Sequence, residues 1–559
     1  MSRQFMIIDN IPVEINGEKN ILELIRKAGI DLPTFCYHSE LSVYGACRMC
    51  MVEDKRGRMQ ASCSTPPQAG MEIYTNTPRL RKYRKNILEL LLANHCRDCT
   101  TCEKSEHCKL QDLAKRFKIK KVRFKNTSVN KKIDNSSLCI VRNRSKCILC
   151  GDCVRVCEEV QNVGAIDFVK RGSNMTVTTA FDEPIANSNC VGCGQCAAVC
   201  PTGAIVVKDD TAKLWEALSD KNTKVIAQIA PAVRVGLNEE LGEENGKNEM
   251  GKIVAALKRM GFDEVFDTST AADLTVLEES SEFASRLEKN EKLPLFTSCC
   301  HAWINYVEKT HPELMQNVST CKSPMEMFGS VLKEYYKDSD KKIVVVAIMP
   351  CTAKKYEAKR EEFSRNGVPD VDHVITTQEL ISMIRQAGIV FSELEPEAVD
   401  MPFDLSSGAG VIFGVTGGVT EAVIRKVLAD EPNAVLRSIA FNGVRGMEGT
   451  KETSITVGDR EIKIAIVSGL RNAEDLIQKI QSGESKYDFV EVMACPGGCI
   501  SGGGQPFEKL EGKLKRSAGI YQSDKMSTIK RTADNPLMKS LYSGLLKGKT
   551  HELLHVNRK

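Results

Sequence analysis

Cys147-Ile148-Leu149-Cys150-Gly151-Asp152-Cys153-Val154-Arg155-Val156-Cys157 and Cys190-Val191-Gly192-Cys193-Gly194-Gln195-Cys196-Ala197-Ala198-Val199-Cys200-Pro201 repeat one spacing, C-x2-C-x2-C-x3-C, and the second run closes with proline. They belong to a set of 23 cysteines in 559 residues, grouped at short intervals and not spread like a disulfide framework. The first residues hold no apolar signal segment, and no run approaches the roughly 18 apolar residues of a membrane span. The expected compartment is therefore the reducing cytoplasm, where grouped thiols read as metal ligands. Hydrophobic residues are 42% and charged residues 27%, which suits a globular protein and excludes a disordered or fibrous one. With 77 basic and 73 acidic residues the net charge is +4, too small to draw the chain to nucleic acid or a membrane. The length suggests roughly four domains.

The doubled run resembles that of bacterial two-cluster ferredoxins, in which the fourth cysteine of each motif crosses to the other cluster. That resemblance assigns Cys147, Cys150, Cys153 and Cys200 to one 4Fe-4S cluster. Cys190, Cys193, Cys196 and Cys157 go to a second.

Toward the N-terminus, His95, Cys99, Cys102 and Cys108 are spaced H-x3-C-x2-C-x5-C. Alone this suits zinc or a 4Fe-4S cluster with one imidazole ligand. Its position resembles the 4Fe-4S module of complex I and of iron-only hydrogenases. Cys96 does not fit the spacing, and His107, beside Cys108, is read as solvated. Earlier still come Cys36, Cys47, Cys50 and Cys63. Residues 4–9 and 11–15 alternate like strands, and a helix is expected from Ile21, with Asn20 as its N-cap and Gly29 as its stop. The ten-residue first gap resembles a 2Fe-2S ferredoxin variant of larger redox enzymes; structural zinc is the alternative.

After about residue 210 cysteines become sparse and helix-like and strand-like segments alternate. Residues 253–260 read as helix, and 341–348 and 462–468 as buried strands. The first of these strands ends in Met349-Pro350-Cys351, the usual place for an α/β site. Five of the six remaining cysteines lie in three motifs. These are Thr297-Ser298-Cys299-Cys300-His301-Ala302-Trp303, Met349-Pro350-Cys351-Thr352-Ala353-Lys354-Lys355-Tyr356-Glu357, and Glu491-Val492-Met493-Ala494-Cys495-Pro496-Gly497-Gly498-Cys499 followed by Ile500-Ser501-Gly502-Gly503-Gly504. Four thiolates suffice for one more 4Fe-4S cube. Successive side chains diverge, so only one of Cys299 and Cys300 is expected to face it.

These motifs resemble the H-cluster signatures of [FeFe] (iron-only) hydrogenases. The resemblance covers nearly the whole chain and is closest to monomeric clostridial enzymes with four accessory clusters. It implies a cube on Cys300, Cys351, Cys495 and Cys499, with Cys499 bridging to a diiron subsite that carries CO, cyanide and an azadithiolate. Cys299 is then the unligated thiol of a proton relay through Glu279, Ser319, Glu282 and Arg286, the last at the mouth. Lys354 is expected to donate to a cyanide, and Ala230, Pro231, Met349, Phe413 and Met493 to shape an apolar cavity. Electrons leave through clusters, protons through titratable groups. The implied reaction is reversible 2H+ + 2e− = H2, with ferredoxin as electron carrier and dedicated maturation proteins to supply the diiron site. The alternative is a non-catalytic electron-transfer or iron-sulfur assembly protein.

The implied architecture is multidomain α+β and α/β. A β-grasp 2Fe-2S domain covers 1–80, a 4Fe-4S domain with one histidine and three cysteines 81–125, a two-cluster ferredoxin domain 126–209 and a large α/β H-cluster domain 210–559. A monomer is expected. His301 stands where the family usually has Pro, Met325 where it has Gln, Ala232 for Ser, Thr420 for Met and Thr270 for Phe. These departures are expected to alter cluster potential or catalytic bias, not the reaction.

His551-Glu552-Leu553-Leu554-His555 is a literal HExxH, but no third ligand follows, so a surface helix end is expected. The segment 408–414 has the wrong glycine spacing for a dinucleotide fingerprint. The basic stretches 79–85 and 115–132 read as a solvated face or a dock for an acidic electron carrier. Cys96, Cys139 and Cys321 read as bystander thiols.

Overall fold

The computed structural model describes residues 3–125, 132–427, 443–457 and 460–558. The expected start of the two-cluster domain at 126, and residues 126–131 of the basic stretch, lie outside them.

The first 80 residues form a five-stranded mixed sheet ordered Ile11–Glu14, Phe5–Ile8, Glu72–Tyr74, Met51–Asp54, Met59–Ala61. One helix, Ile21–Lys27, packs Ile21, Leu22, Leu24 and Ile25 against it. Asn20 caps that helix, its side chain accepting from the Glu23 N–H at 3.1 Å, and Gly29 follows at φ +76°. Next, Pro78–Ala93 and Lys109–Arg116 bracket the segment from His95 to Cys108.

Between 132 and 209, the short strands Ile133–Asp134, Ile140–Asn143 and Ile205–Val207 form one sheet. The short helices Asp152–Arg155 and Gln195–Ala198 each start from a glycine in the left-handed region, Gly151 at φ +80° and Gly194 at φ +72°. That conformation turns the chain sharply between the second and third cysteines of each run. It lets residues three apart point at one centre.

The remainder holds two four-stranded sheets. One is wholly parallel, ordered Glu264–Asp267, Thr223–Ile229, Lys342–Met349, His373–Thr376. Its central strands are almost continuously buried, as expected when helices cover both faces. The other is ordered Leu295–Phe296, Phe489–Met493, Arg460–Ser468, Thr450–Val457, parallel except for its last hairpin. The carboxyl ends of four strands lead into the motif residues: Ile229 into Ala230, Met349 into Cys351, Phe296 into Cys299 and Cys300, and Met493 into Cys495.

The strands expected at 341–348 and 462–468 are Lys342–Met349 and Arg460–Ser468. The helix expected at 253–260 is Met250–Arg259; its first turn, Met250-Gly251-Lys252, lacks the apolar periodicity that marks the rest. HExxH does fall at a helix end, Thr550–Leu554, but His555 does not stay on the surface. It turns inward, because residues 554–556 pair with 320–322: Lys322 N–H donates to the Leu554 carbonyl at 2.9 Å and Val556 N–H to that of Thr320 at 2.8 Å. Among the described residues, no helix is long and apolar enough to cross a membrane.

Candidate active site

Cys300 caps the helix His301–Thr310, and its sulfur accepts the Ala494 N–H at 3.3 Å. The Cys495 sulfur accepts from Gln195 Nε2 at 3.2 Å. Burial pushes the Cys495 thiol well up, and Cys351, Cys300 and Cys499 crowd it further. Cys351 is pushed up to about 11, by burial first and then by Cys300. Burial raises all four thiols, and Cys351, Cys495 and Cys499 are raised further by other members of the set, which suits a cationic cluster that relieves them together. The donor set thus fits a 4Fe-4S cube. Burial raises the Cys299 thiol far above the ordinary range, with Glu279 the largest charged contributor and Cys300 and Cys499 after it.

Phe413 and Met493 pack against Cys299, Cys300 and Cys499. Ala230 and Met349 lie in the larger core of the parallel sheet, with Pro231 opening the short helix Pro231–Val235. Lys354 donates to the Cys299 carbonyl at 3.0 Å and to Glu357 Oε2 at 2.5 Å. Burial works against its charge, yet Glu357 keeps its pKa raised, so it stays a cation. Glu357 escaped the sequence reading, although its i,i+3 spacing from Lys354 is a legible signal.

Glu279 is fully buried on the helix Ser269–Lys289, and neither carboxyl oxygen has a hydrogen-bond partner among the described residues. Burial pushes its pKa up to about 8, the Glu282 charge adding to this and the Ser319 hydroxyl opposing it. Glu282 accepts from Ser319 Oγ at 2.9 Å, from Thr320 N–H at 3.0 Å and Oγ1 at 3.1 Å, and from Arg286 Nη2 at 2.5 Å. Arg286 also donates to the carbonyls of Lys292, Asn317 and Val318, and only 9% of it is exposed.

The departures from the family pattern are all buried. His301 lies 3.7 Å from Glu357, and burial holds its imidazole neutral. Thr420 N–H donates to Glu491, and Thr270 Oγ1 to the Phe403 and Leu405 carbonyls. The Met325 carbonyl accepts from Gln228, and Ala232 packs beside Val235 and Ile412.

The accessory cysteines also converge. Cys147, Cys150, Cys153 and Cys200 line one cavity, the crossed set of the doubled run. Cys157, Cys190 and Cys196 pack in one core with Cys147, Cys153 and Cys200, and Cys193 is raised by burial and by Cys196, Cys495 and Cys190. His95, Cys99, Cys102 and Cys108 line another cavity, and His95 Nε2 is buried without a partner. An orphaned buried nitrogen facing three thiols fits a ligand role. Cys36 and Cys47 accept backbone N–H groups at 3.3 and 3.4 Å, and Cys50 and Cys63 are buried beside them. His107 is exposed against Glu240, while Cys139 and Cys321 are buried.

Gln195 joins two of these centres, since its Nε2 also donates to the Ser501 carbonyl at 3.0 Å. At the same junction a methyl group on Gly503 would sit 2.4 Å from the Cys193 carbonyl oxygen.

Residues 223–503 match the family model described as iron-only hydrogenase large subunit, C-terminal domain, and 510–557 match iron hydrogenase small subunit. Upstream, 5–78 match a 2Fe-2S iron-sulfur cluster binding domain, 84–123 the NADH-ubiquinone oxidoreductase-G iron-sulfur binding region and 146–204 a 4Fe-4S dicluster domain. This chain belongs to the iron-only hydrogenases, oxidoreductases that act on H2 and exchange electrons with redox partners through iron-sulfur domains. It is 42% identical to the NADP-reducing hydrogenase subunit HndD of Solidesulfovibrio fructosivorans, over 100% of this chain and 99% of that one. It is 34% identical to iron hydrogenase 1 of Clostridium pasteurianum, over 99% of each. Among solved structures, an apo [FeFe]-hydrogenase HydA1 from Chlamydomonas reinhardtii aligns with TM-score 0.53 and 37% identity, covering 62% of this chain and 98% of that one.

Proposed function

We propose that this hydrogenase carries one 2Fe-2S cluster, three accessory 4Fe-4S clusters and an H-cluster, divided among domains at 1–80 (a β-grasp), 81–125, 126–209 and 210–559. The carrying observation is that Cys300, Cys351, Cys495 and Cys499 crowd one another, while Glu279 is the largest charged influence on Cys299. When bound, the clusters supply one-electron relays and a Lewis-acidic centre for H2.

The chain's own residues do the rest. Cys300, Cys351, Cys495 and Cys499 hold the cube, and the buried Lys354 cation fixes a donor beside Cys299. Phe413 and Met493 keep water away, and Ala230, Pro231 and Met349 extend that apolar wall. Cys299 exchanges its proton with Glu279. Ser319 hands it to Glu282, which Arg286 holds in place.

An acidic carrier such as ferredoxin is the proposed partner in the cytoplasm, with maturation proteins loading the diiron subsite. A surface depression lined by Arg81, Lys82, Lys85, Arg116 and Lys118 beside the first domain supports that choice. The chain is proposed to work as a monomer. A second reading rests on the HndD relationship: the chain then serves as one subunit of an assembly that reduces a nicotinamide carrier, and anaerobic purification from the native cell decides between them.

The test is anaerobic infrared spectroscopy on maturated protein, with H2 evolution from reduced viologen. Terminal CO and cyanide bands with turnover are expected. Maturated protein lacking both would overturn the H-cluster assignment and leave the cysteine set as one more electron relay.

A further inference from the structure

The relay reaches Glu282, and its next step is not obvious. Arg286 cannot give up a proton, and its N–H groups are committed to Glu282 and three backbone carbonyls. It fixes Glu282 as a clamp. Another set of groups leads onward from the same carboxylate. Thr320 Oγ1 lies 3.1 Å from Glu282 Oε2 and 2.9 Å from His555 Nδ1. His555 Nε2 lies 2.9 Å from Glu278 Oε2, and the Tyr542 hydroxyl donates to the other Glu278 oxygen. Every link is within hydrogen-bond distance, and each of Thr320, His555 and Glu278 can both accept and donate a proton.

We propose that protons pass between Glu282 and solvent through Thr320, His555 and Glu278. The proposal rests on the reading of Glu279, Ser319 and Glu282 as the inner relay. For H2 formation the balance is as follows. Glu278 takes a proton from water and gives it to His555 Nε2, while Nδ1–H gives its proton to Thr320 Oγ1. The Thr320 hydroxyl passes its own proton to Glu282 Oε2. Loss of the Nε2–H proton to water and uptake of one at Nδ1 restore the starting tautomer with no net proton moved, and once Glu282 passes its proton inward every group has its starting charge.

The groups facing His555 are Glu278 and Glu282 from the long helix, Cys321 from the paired segment, Tyr542 from the helix Pro536–Ser543, and His551, whose ring stacks at 5.1 Å. The donor atoms of Glu282, Cys321 and His555 lie within 4.8 Å of one another, so the junction is tight. The antiparallel bridge between Cys321 and His555 fixes it through the backbone. HExxH is therefore explained without zinc chemistry: its second histidine is the member that the fold brings to the relay.

The experiment uses the full, maturated enzyme and four changes. Thr320→Val keeps the shape and removes the hydroxyl; Thr320→Ser keeps the hydroxyl. His555→Ala removes the imidazole, and added imidazole can replace it. Glu282→Gln tests the inner relay. Thr320→Val and His555→Ala are expected to lower H2 evolution about tenfold and to raise the solvent isotope effect, with CO and cyanide bands unchanged. Thr320→Ser and added imidazole are expected to restore most of the rate. If Thr320→Val and His555→Ala turn over like the wild type while Glu282→Gln does not, the exit is wrong, Glu282 meets water directly and the inner relay stands. If Glu282→Gln also keeps full turnover, both readings fall. A rate lost with Thr320→Val and not recovered by Thr320→Ser, or lost together with the infrared bands, marks a structural role and overturns the proposal.

Discussion

Cys299 and Cys300 are neighbours in sequence, and the proposed function gives them different chemistries. Cys300 raises the thiols of Cys351, Cys495 and Cys499, and its sulfur accepts a backbone N–H. Cys299 is crowded first by Glu279 among its charged neighbours, and its carbonyl is pinned by Lys354. A hydroxyl in place of the Cys299 thiol would fit the space, but its much higher pKa makes it a poor proton carrier. Cys299→Ser is expected to keep its full iron content and lose most turnover, by at least about a hundredfold. Iron analysis beside an H2 evolution assay checks this; full activity would remove Cys299 from the relay. Divergence of adjacent side chains made the pairing of roles legible in the sequence, and the family resemblance gave Cys300 to the cube and Cys299 to the relay. The Ala494 N–H on the Cys300 sulfur and the Glu279 influence on Cys299 come from other segments and leave no trace in the spacing.

At the scale of elements, the helix Ser269–Lys289 docks with an acid, Glu279, fully inside, as Pro324–Tyr335 does with Glu326. The Ser319 hydroxyl and the Ser298 backbone offset the burial of Glu279 only in part, so its pKa rises from the ordinary carboxylate range to about 8. Between those values the folded chain holds one proton more than the unfolded chain. Stability therefore falls as pH rises from about 4.5 toward about 8, and this loss is absent in Glu279→Gln. Anaerobic thermal unfolding at several pH values, wild type beside variant, should show the two curves diverging as pH rises; parallel curves would contradict the buried neutral acid. Helices and strands themselves were well marked in the sequence. Asn20 signalled its cap, and the run Ile343 to Ile348 its buried strand. The pairing of 554–556 with 320–322 was not marked, because a backbone bridge between distant segments leaves no periodic trace. That is why His555 read as a surface residue.

At the scale of the molecule, cysteine spacing together with the family resemblance pointed to the cluster-bearing regions, because ligation of one cluster needs cysteines at short intervals. Spacing could not show how the regions abut. Gln195 hydrogen-bonds the Cys495 sulfur, and Gly503 rests directly on the backbone around Cys193 and Gly194. An electron crosses such a junction by tunnelling, and tunnelling rates fall steeply with the thickness of the gap. The absent side chain of Gly503 is, in that sense, the insulation left off a joint. Gly503→Ala would force a methyl group against the carbonyl of Cys193, a proposed ligand of the neighbouring cluster, and widen the joint while changing no ligand side chain. Exchange of H2 with deuterated water needs no net electron flow and should persist in that variant, while evolution driven by an external electron donor should slow severalfold. The enzyme would then still make and break its bond to hydrogen, cut off from its own current.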